Sequence, residues 1–346
     1  PSENILILVN DGGVNMSNTR QPVLTVENLS VAFSGRKGPA TAVSGISFKV
    51  YPGEMMALVG ESGCGKSVTA MSLLQLLPSP PAIIKGAVYL EERDLLRMSK
   101  TEIRSVRGKD IAMIFQNPMS SLNPVLTIER QLTEGTILHE NVSRKNAIQQ
   151  AKKNLNLVGI TDSAERLSQY PHQLSGGMRQ RVMIAMAISC NPKVLIADEP
   201  TTALDVTTQT QVLSLVTDIQ KKLGISTILI THDLGVVAET ADRIAVMYFG
   251  FIVEQAPTEV LFDNPAHPYT KGLIAAVPRL DFFIEGKKIP ERLVEIPGIV
   301  PSIFNVIQGC PFAPRCALAN NQCNQEKPPE VELSPGHTVS CWEVSS

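Results

Sequence analysis

Gly60-Glu61-Ser62-Gly63-Cys64-Gly65-Lys66-Ser67 is the stretch best equipped for chemistry, because its three glycines let the backbone turn N–H groups inward onto phosphate oxygens. The chemistry is anion binding. Lys66 is spaced to reach the β- and γ-phosphates of a nucleotide, and the Ser67 hydroxyl to ligate Mg²⁺. Val68 opens a helical periodicity that runs to Leu77, so a helix N-terminus adds its partial positive charge at the loop. The apolar run Met55 to Val59 predicts a strand in front, giving the order strand, phosphate loop, helix. A loop of this kind predicts a bound nucleoside triphosphate and leaves open what the nucleotide is for.

Other polar residues end other apolar strands. Val194-Leu195-Ile196-Ala197-Asp198-Glu199 closes on two carboxylates, and charge at the end of a buried strand is costly to desolvate unless it is paired or metal-bound. Asp198 is placed to hold Mg²⁺ through water and Glu199 to take a proton from an attacking water. Ile225 to Thr231 repeats the design and ends in His232. Gln116 directly follows the strand Ile111 to Phe115, where Asn117-Pro118 turns the chain, and is placed to touch a ligand or metal. Leu174-Ser175-Gly176-Gly177-Met178-Arg179-Gln180 starts a helix that runs to about Cys190, with Ser175 as N-cap and two glycines leaving the first N–H groups uncovered. That is a second anion site without a lysine of its own. Phe33 sits before the loop Gly35 to Pro39, where an aromatic ring could stack on a nucleobase.

The elements that must position these residues alternate strand and helix, an α/β pattern. Residues Pro22 to Val50 alternate apolar and polar and predict antiparallel strands. Pro78, Pro80 and Pro81 break the first helix from short strands around Ala87 to Tyr89 and Ile111 to Phe115. Past Pro124 the period is helical through roughly Ile128 to Leu157, a helical insertion outside the sheet. Beyond Gln255 the chain is Pro-rich with a short helical pattern.

At 346 residues the chain has room for about two domains. With 18% charged residues and a net charge of -2 there is no reason to expect a nucleic-acid surface. No run approaches the roughly 18 apolar residues of a membrane span. Residues 1–21 lack the charged, apolar and cleavage regions of a signal peptide, which predicts a cytosolic chain with a tail outside the fold. Asp11 to Asn15 reads as a translated ribosome-binding site, so translation is expected to begin at Met16.

Taken in order, Gly60 to Ser67, Gln116, Leu174 to Gln180, Val194 to Glu199, Asp205 and His232 resemble the ATP-binding-cassette ATPases over roughly Pro22 to Gln255. The resemblance implies a RecA-like core with an antiparallel β subdomain and a helical subdomain at about residues 120–185. It implies ATP and Mg²⁺ as ligands, the ion held by Ser67, Gln116 and Asp198. It also implies a head-to-tail dimer in which ATP at Lys66 is completed by Ser175 and Gly177 of the other subunit. In that arrangement Glu199 is the catalytic base, His232 contacts the γ-phosphate, Gln116 senses the partner while binding Mg²⁺, and Asp205 crosses the interface.

Asn264 to Thr270, Gly309 to Cys316 and Gln116 to Pro124 look like segments of the dipeptide and oligopeptide permease ATPases. This narrower resemblance implies the ATPase of an importer at the cytoplasmic face of the membrane. Its partners would be two transmembrane permease subunits, a second cassette ATPase (homologous or identical) and, indirectly, an extracytoplasmic peptide-binding protein. Short peptides would be the cargo, with nickel or other solutes carried by close relatives. The alternative is a soluble cassette ATPase acting on DNA or ribosomes, but such proteins commonly carry two cassettes or a long coiled-coil insertion, and this chain has one set of motifs.

Residues 256–346 are then expected to form a small C-terminal domain holding Cys310, Cys316, Cys323 and Cys341. The gaps of five, six and seventeen residues lack the tight pairs usual for structural zinc. Iron-sulfur ligation tolerates wider spacing. Some members of the resembled subfamily carry a [4Fe-4S] centre at such cysteines, so a cluster is the first expectation, zinc the second and free thiols the third. A cluster or metal there is expected to staple a small Pro-rich domain, with no redox role.

Overall fold

The computed structural model describes residues 21–35, 38–117, 121–201, 205–277, 295–301 and 307–345. The expected start at Met16 and its tail lie outside the described residues. Twelve strands are described: β1 (Leu24–Phe33), β2 (Ala40–Val50), β3 (Met55–Val59), β4 (Ala82–Leu90), β5 (Arg93–Asp94), β6 (Ile111–Ile114), β7 (Val194–Asp198), β8 (Ser226–Ile230), β9 (Arg243–Tyr248), β10 (Phe251–Pro257), β11 (Glu330–Ser334) and β12 (His337–Ser340). They form two sheets. One is antiparallel, in the order β2-β1-β4-β5; the other is mixed, in the order β11-β12-β10-β9-β3-β8-β7-β6.

The mixed sheet decides where chemistry can occur. Strands β9, β3, β8, β7 and β6 are mutually parallel neighbours. Strands β3, β6, β7 and β8 are buried at every residue, as continuous apolar runs covered on both faces must be. In such sheets ligands bind outside the carboxyl ends of the strands. The register makes this concrete, because Leu58 lies beside Ile230, Ile230 beside Asp198, and Ile114 beside Ala197. The residues that follow these strands therefore share one edge.

Helix α1 (Lys66–Leu73) starts at the phosphate loop, and its Ala70 and Leu73 join the apolar core beneath the antiparallel sheet. The helical period expected from Ile128 to Leu157 is two helices, α2 (Ile128–Glu140), capped by Thr127, and α3 (Arg144–Leu157), capped by Ser143. Asn141 breaks the run with a left-handed φ of 52°, a conformation its short amide side chain tolerates. Helix α4 (Gly176–Ala187) packs with them over a second apolar core.

The C-terminal residues complete the mixed sheet. Strand β12 pairs with β10 through Glu254–Val339 and Gln255–Thr338, so the expected boundary after residue 255 falls inside a strand. Phe312 packs edge-on against Tyr248 at 5.2 Å and tilted against Tyr269 at 5.4 Å, joining this region to the same apolar core as Ala57 and Val59 of β3. Buried Glu254 accepts hydrogen bonds from the Ala266 and His267 N–H groups and pairs with His337 Nε2 at 2.8 Å.

The expected four-cysteine site is not met by the side-chain placement. The Cys310 N–H donates to the Cys323 carbonyl, so the backbones of those two cysteines adjoin. Yet among the described residues no three His, Cys, Asp or Glu side chains converge to hold a metal ion. No disulfide joins any of the four. Burial raises the pKa of Cys310, to about 11, and of Cys316 and Cys341.

Candidate active site

Strand β3 delivers Gly60, and the loop returns to start α1 at Lys66 with Gly65 as N-cap at a φ of 106°. A Cβ on Gly65 would run into the Ala42 carbonyl and the Met247 side chain, so the tight turn requires glycine. Gly65→Ala is expected to cost at least about 2 kcal/mol, read as a lowered midpoint in thermal unfolding of the full chain. Gly60 and Gly63 also have positive φ values. Ser62 and Gly63 are exposed, whereas Cys64 and Lys66 are buried. Burial raises the Cys64 thiol pKa, although the Lys66 ammonium 3.7 Å away opposes it. Lys66 Nζ donates to the carbonyls of Gly60 at 2.8 Å and Glu61 at 3.0 Å, which points the ammonium into the loop.

Asp198 is brought to this loop by β7. Its Oδ1 accepts from Ser67 Oγ at 3.0 Å, putting a hydroxyl and a carboxylate at one point. Burial pushes the Asp198 pKa up; the Ser67 hydrogen bond opposes this, the Glu199 charge adds to it and Lys66 opposes it. A hydroxyl plus one carboxylate suits Mg²⁺, which takes few protein ligands and completes its shell with water and nucleotide phosphates.

Glu199 leaves the strand in a left-handed conformation, φ 43°, with its N–H donated to the Ile230 carbonyl of β8. That turn aims the carboxylate between two neighbours. Gln116 Nε2 donates to Glu199 Oε2 at 2.9 Å, and His232 Nδ1 stands 3.6 Å from Oε1. His232 is 72% exposed and Glu199 16%, so the imidazole faces solvent while the carboxylate is partly withdrawn. Four chain segments thus meet at the edge of β3, β8, β7 and β6.

Ser175 and Asp205 cap two other helices, and Gly177 lies in the first turn of one of them. Ser175 Oγ caps α4 by accepting from the Met178 N–H, and Gly176 has open space where a side chain would be. Asp205 caps the helix Val206–Leu223, accepting from the Thr208 N–H and hydroxyl at 2.9 Å each. Helix α4 connects to the acid strand through Gln180, which donates to the Pro200 carbonyl. Phe33 is half-buried at the end of β1 and Val68 half-buried in α1, and both pack against the core under the antiparallel sheet. The sequence reading passed over Tyr269 and Arg315, which clasp the loop at Glu61 from the C-terminal region. Arg315 lies inside the quoted segment Gly309 to Cys316, the one local signal that could have found it.

Comparison with known proteins agrees with this geometry. Residues 43–202 match the family described as ABC transporter, and residues 253–323 match the oligopeptide/dipeptide transporter C-terminal region. The dipeptide transport ATP-binding protein DppD of Bacillus subtilis is 51% identical over 93% of this chain and 95% of its own. The oligopeptide transport ATP-binding protein AppD of the same organism is 49% identical over 92% and 96%. Among solved structures, dimeric MJ0796, described as a bacterial ABC transporter cassette, is 25% identical with a TM-score of 0.60 over 68% of this chain and 98% of its own. The cbiO1 structure from Clostridium perfringens, part of the ABC transporter complex cbiONQ, is 27% identical with a TM-score of 0.58 over 70% and 91%. The chain belongs to the ABC transporter ATP-binding family, in the branch that holds the dipeptide and oligopeptide transport ATP-binding proteins.

Proposed function

We propose that this chain hydrolyses ATP to energise the uptake of di- or oligopeptides through an importer in the cytoplasmic membrane. The observation that carries the reading is the convergence of Lys66, the Ser67–Asp198 pair and the Gln116–Glu199–His232 group on one sheet edge. On binding ATP, Lys66 exchanges loop carbonyls for β- and γ-phosphate oxygens. Ser67, Asp198 and Gln116 would hold Mg²⁺, which would supply neutralisation of the phosphate charge. Glu199 takes the proton of a water that attacks the γ-phosphorus, the bond to the bridging oxygen breaks, and ADP leaves with the electron pair. His232 contacts the γ-phosphate beside the same carboxylate, and Phe33 offers its ring to the base.

Residues 22–255 act as the ATPase domain and residues 256–346 as a C-terminal addition to its sheet. Ser175, Gly177 and Asp205 serve the second half-site and the interface with another cassette. An apolar groove beside Gln116, lined by Phe115, Met183 and Met186, is where a permease subunit docks. No described helix is long and apolar enough to cross a membrane. The peptide cargo is supported by the similarity to dipeptide and oligopeptide transport ATP-binding proteins. The test is uptake of a labelled dipeptide by cells carrying the native gene, a deletion, and Lys66→Ala; peptide uptake that is unchanged in both altered strains overturns the assignment.

A [4Fe-4S] cluster on Cys310, Cys316, Cys323 and Cys341 is a separable proposal. It is supported by their spacing and mutual electrostatic contact, and opposed by the side-chain placement described above. Anaerobically purified protein is expected to absorb near about 400 nm and to release acid-labile sulfide. Colourless protein with stoichiometric zinc would replace the cluster, and protein with neither would leave four thiols.

A further inference from the structure

This inference rests on the nucleotide-site reading above and concerns how the phosphate loop is held. Glu61 is the second residue of that loop, and a carboxylate there adds negative charge where a polyanion must bind. Two groups from the C-terminal region fix it. Its N–H donates to Tyr269 Oη at 2.9 Å. Its carboxylate is gripped by both arms of the Arg315 guanidinium, Nη1 to Oε2 at 2.7 Å and Nη2 to Oε1 at 3.0 Å.

The guanidinium is itself held in place before any ligand arrives. Arg315 Nε donates to the Pro297 carbonyl at 2.8 Å and Nη2 to the Ile296 carbonyl at 3.2 Å. Its Cζ lies 5.8 Å from the Tyr248 ring centroid and 5.9 Å from that of Phe312. The Arg315 side chain is 5% exposed and that of Glu61 24%, so solvent screens the pair little. A planar fork on a carboxylate fixes direction as well as charge.

We propose that Arg315 is a positioning residue for nucleotide binding: it neutralises Glu61 and turns that carboxylate toward the C-terminal region, so that this region completes the phosphate loop. Without Arg315, Glu61 is left unpaired beside the triphosphate. Arg315 also lies between Cys310 and Cys316 on the turn Ala313–Arg315, so whatever orders the cysteine segment orders the fork.

The test uses the full chain, with equilibrium binding of a fluorescent ATP analogue in Mg²⁺ and steady-state hydrolysis. Arg315→Met is expected to raise the analogue Kd and the ATP KM about tenfold with kcat within about twofold, since the loss is of binding and not of chemistry. Arg315→Lys keeps the charge without the fork and should fall between. The double variant Arg315→Met with Glu61→Gln removes the unpaired carboxylate and should return to within about threefold of the parent. Damage to the C-terminal fold alone would leave the double variant as weak as Arg315→Met, and that result overturns the proposal. Arg315→Lys and the double variant keep the comparison decisive where Arg315→Met does not accumulate as folded protein. A parent chain that does not bind the analogue overturns the nucleotide-site reading together with this one, whereas a binding parent matched by Arg315→Met overturns this inference alone.

Discussion

Glu199→Gln is expected to bind MgATP within about twofold of the parent and to lose steady-state hydrolysis by about 10²–10³-fold. The amide has the shape of the carboxylate, so the backbone turn at Glu199 and the acceptor for Gln116 Nε2 survive the change. What it lacks is the basicity to take a proton from water. His232 is the competing base, because its Nδ1 lies 3.6 Å from Glu199 Oε1. That distance exceeds a hydrogen bond, and the 72% exposed imidazole is held less firmly than the carboxylate. Phosphate release at saturating MgATP, beside binding of the same nucleotide, separates the two. Parent-rate hydrolysis in Glu199→Gln that vanishes in His232→Ala would transfer the role to the histidine.

How much of this was legible in the sequence depended on whether a residue's partner is local. Strands β3, β6, β7 and β8 are buried, mainly apolar runs closed or followed by polar residues, and a parallel sheet buried on both faces needs that composition. Once those runs are neighbours, Gly60, Gln116, Asp198 and His232 must share an edge, so the site was readable from strand ends alone. The pairing of β12 with β10 was not, because Glu254 and Val339 carry no local mark of each other. The Arg315–Glu61 pair spans 254 positions and has no periodic signature. The cysteines differ again: their crowding in sequence suggests a common ligand, whereas among the described residues their side chains form no metal-binding group.

Ser175→Arg is expected to leave ATP binding at Lys66 within about twofold of the parent while hydrolysis falls by at least about 10²-fold, because the proposed function puts the phosphate loop and the exposed N-terminus of α4 in different composite sites. Ser175 is exposed, its hydroxyl caps the Met178 N–H, and Gly176 beside it has open space. A guanidinium there fills the volume a partner's phosphate would take. Loss of the cap alone costs about 1 kcal/mol, so Ser175→Ala serves as the control and should retain much more turnover. Mixing then identifies the partner. In a symmetric dimer, Lys66→Ala combined with Ser175→Arg rebuilds one intact site from the good half of each chain, and turnover should return although each variant alone is inactive. Absence of rescue, with an active parent, would show that both halves work within one chain and remove the composite site. A parent that hydrolyses ATP only with a second, homologous cassette assigns the other half to that protein, and Ser175→Arg should then abolish the partner's site while leaving the site at Lys66 intact.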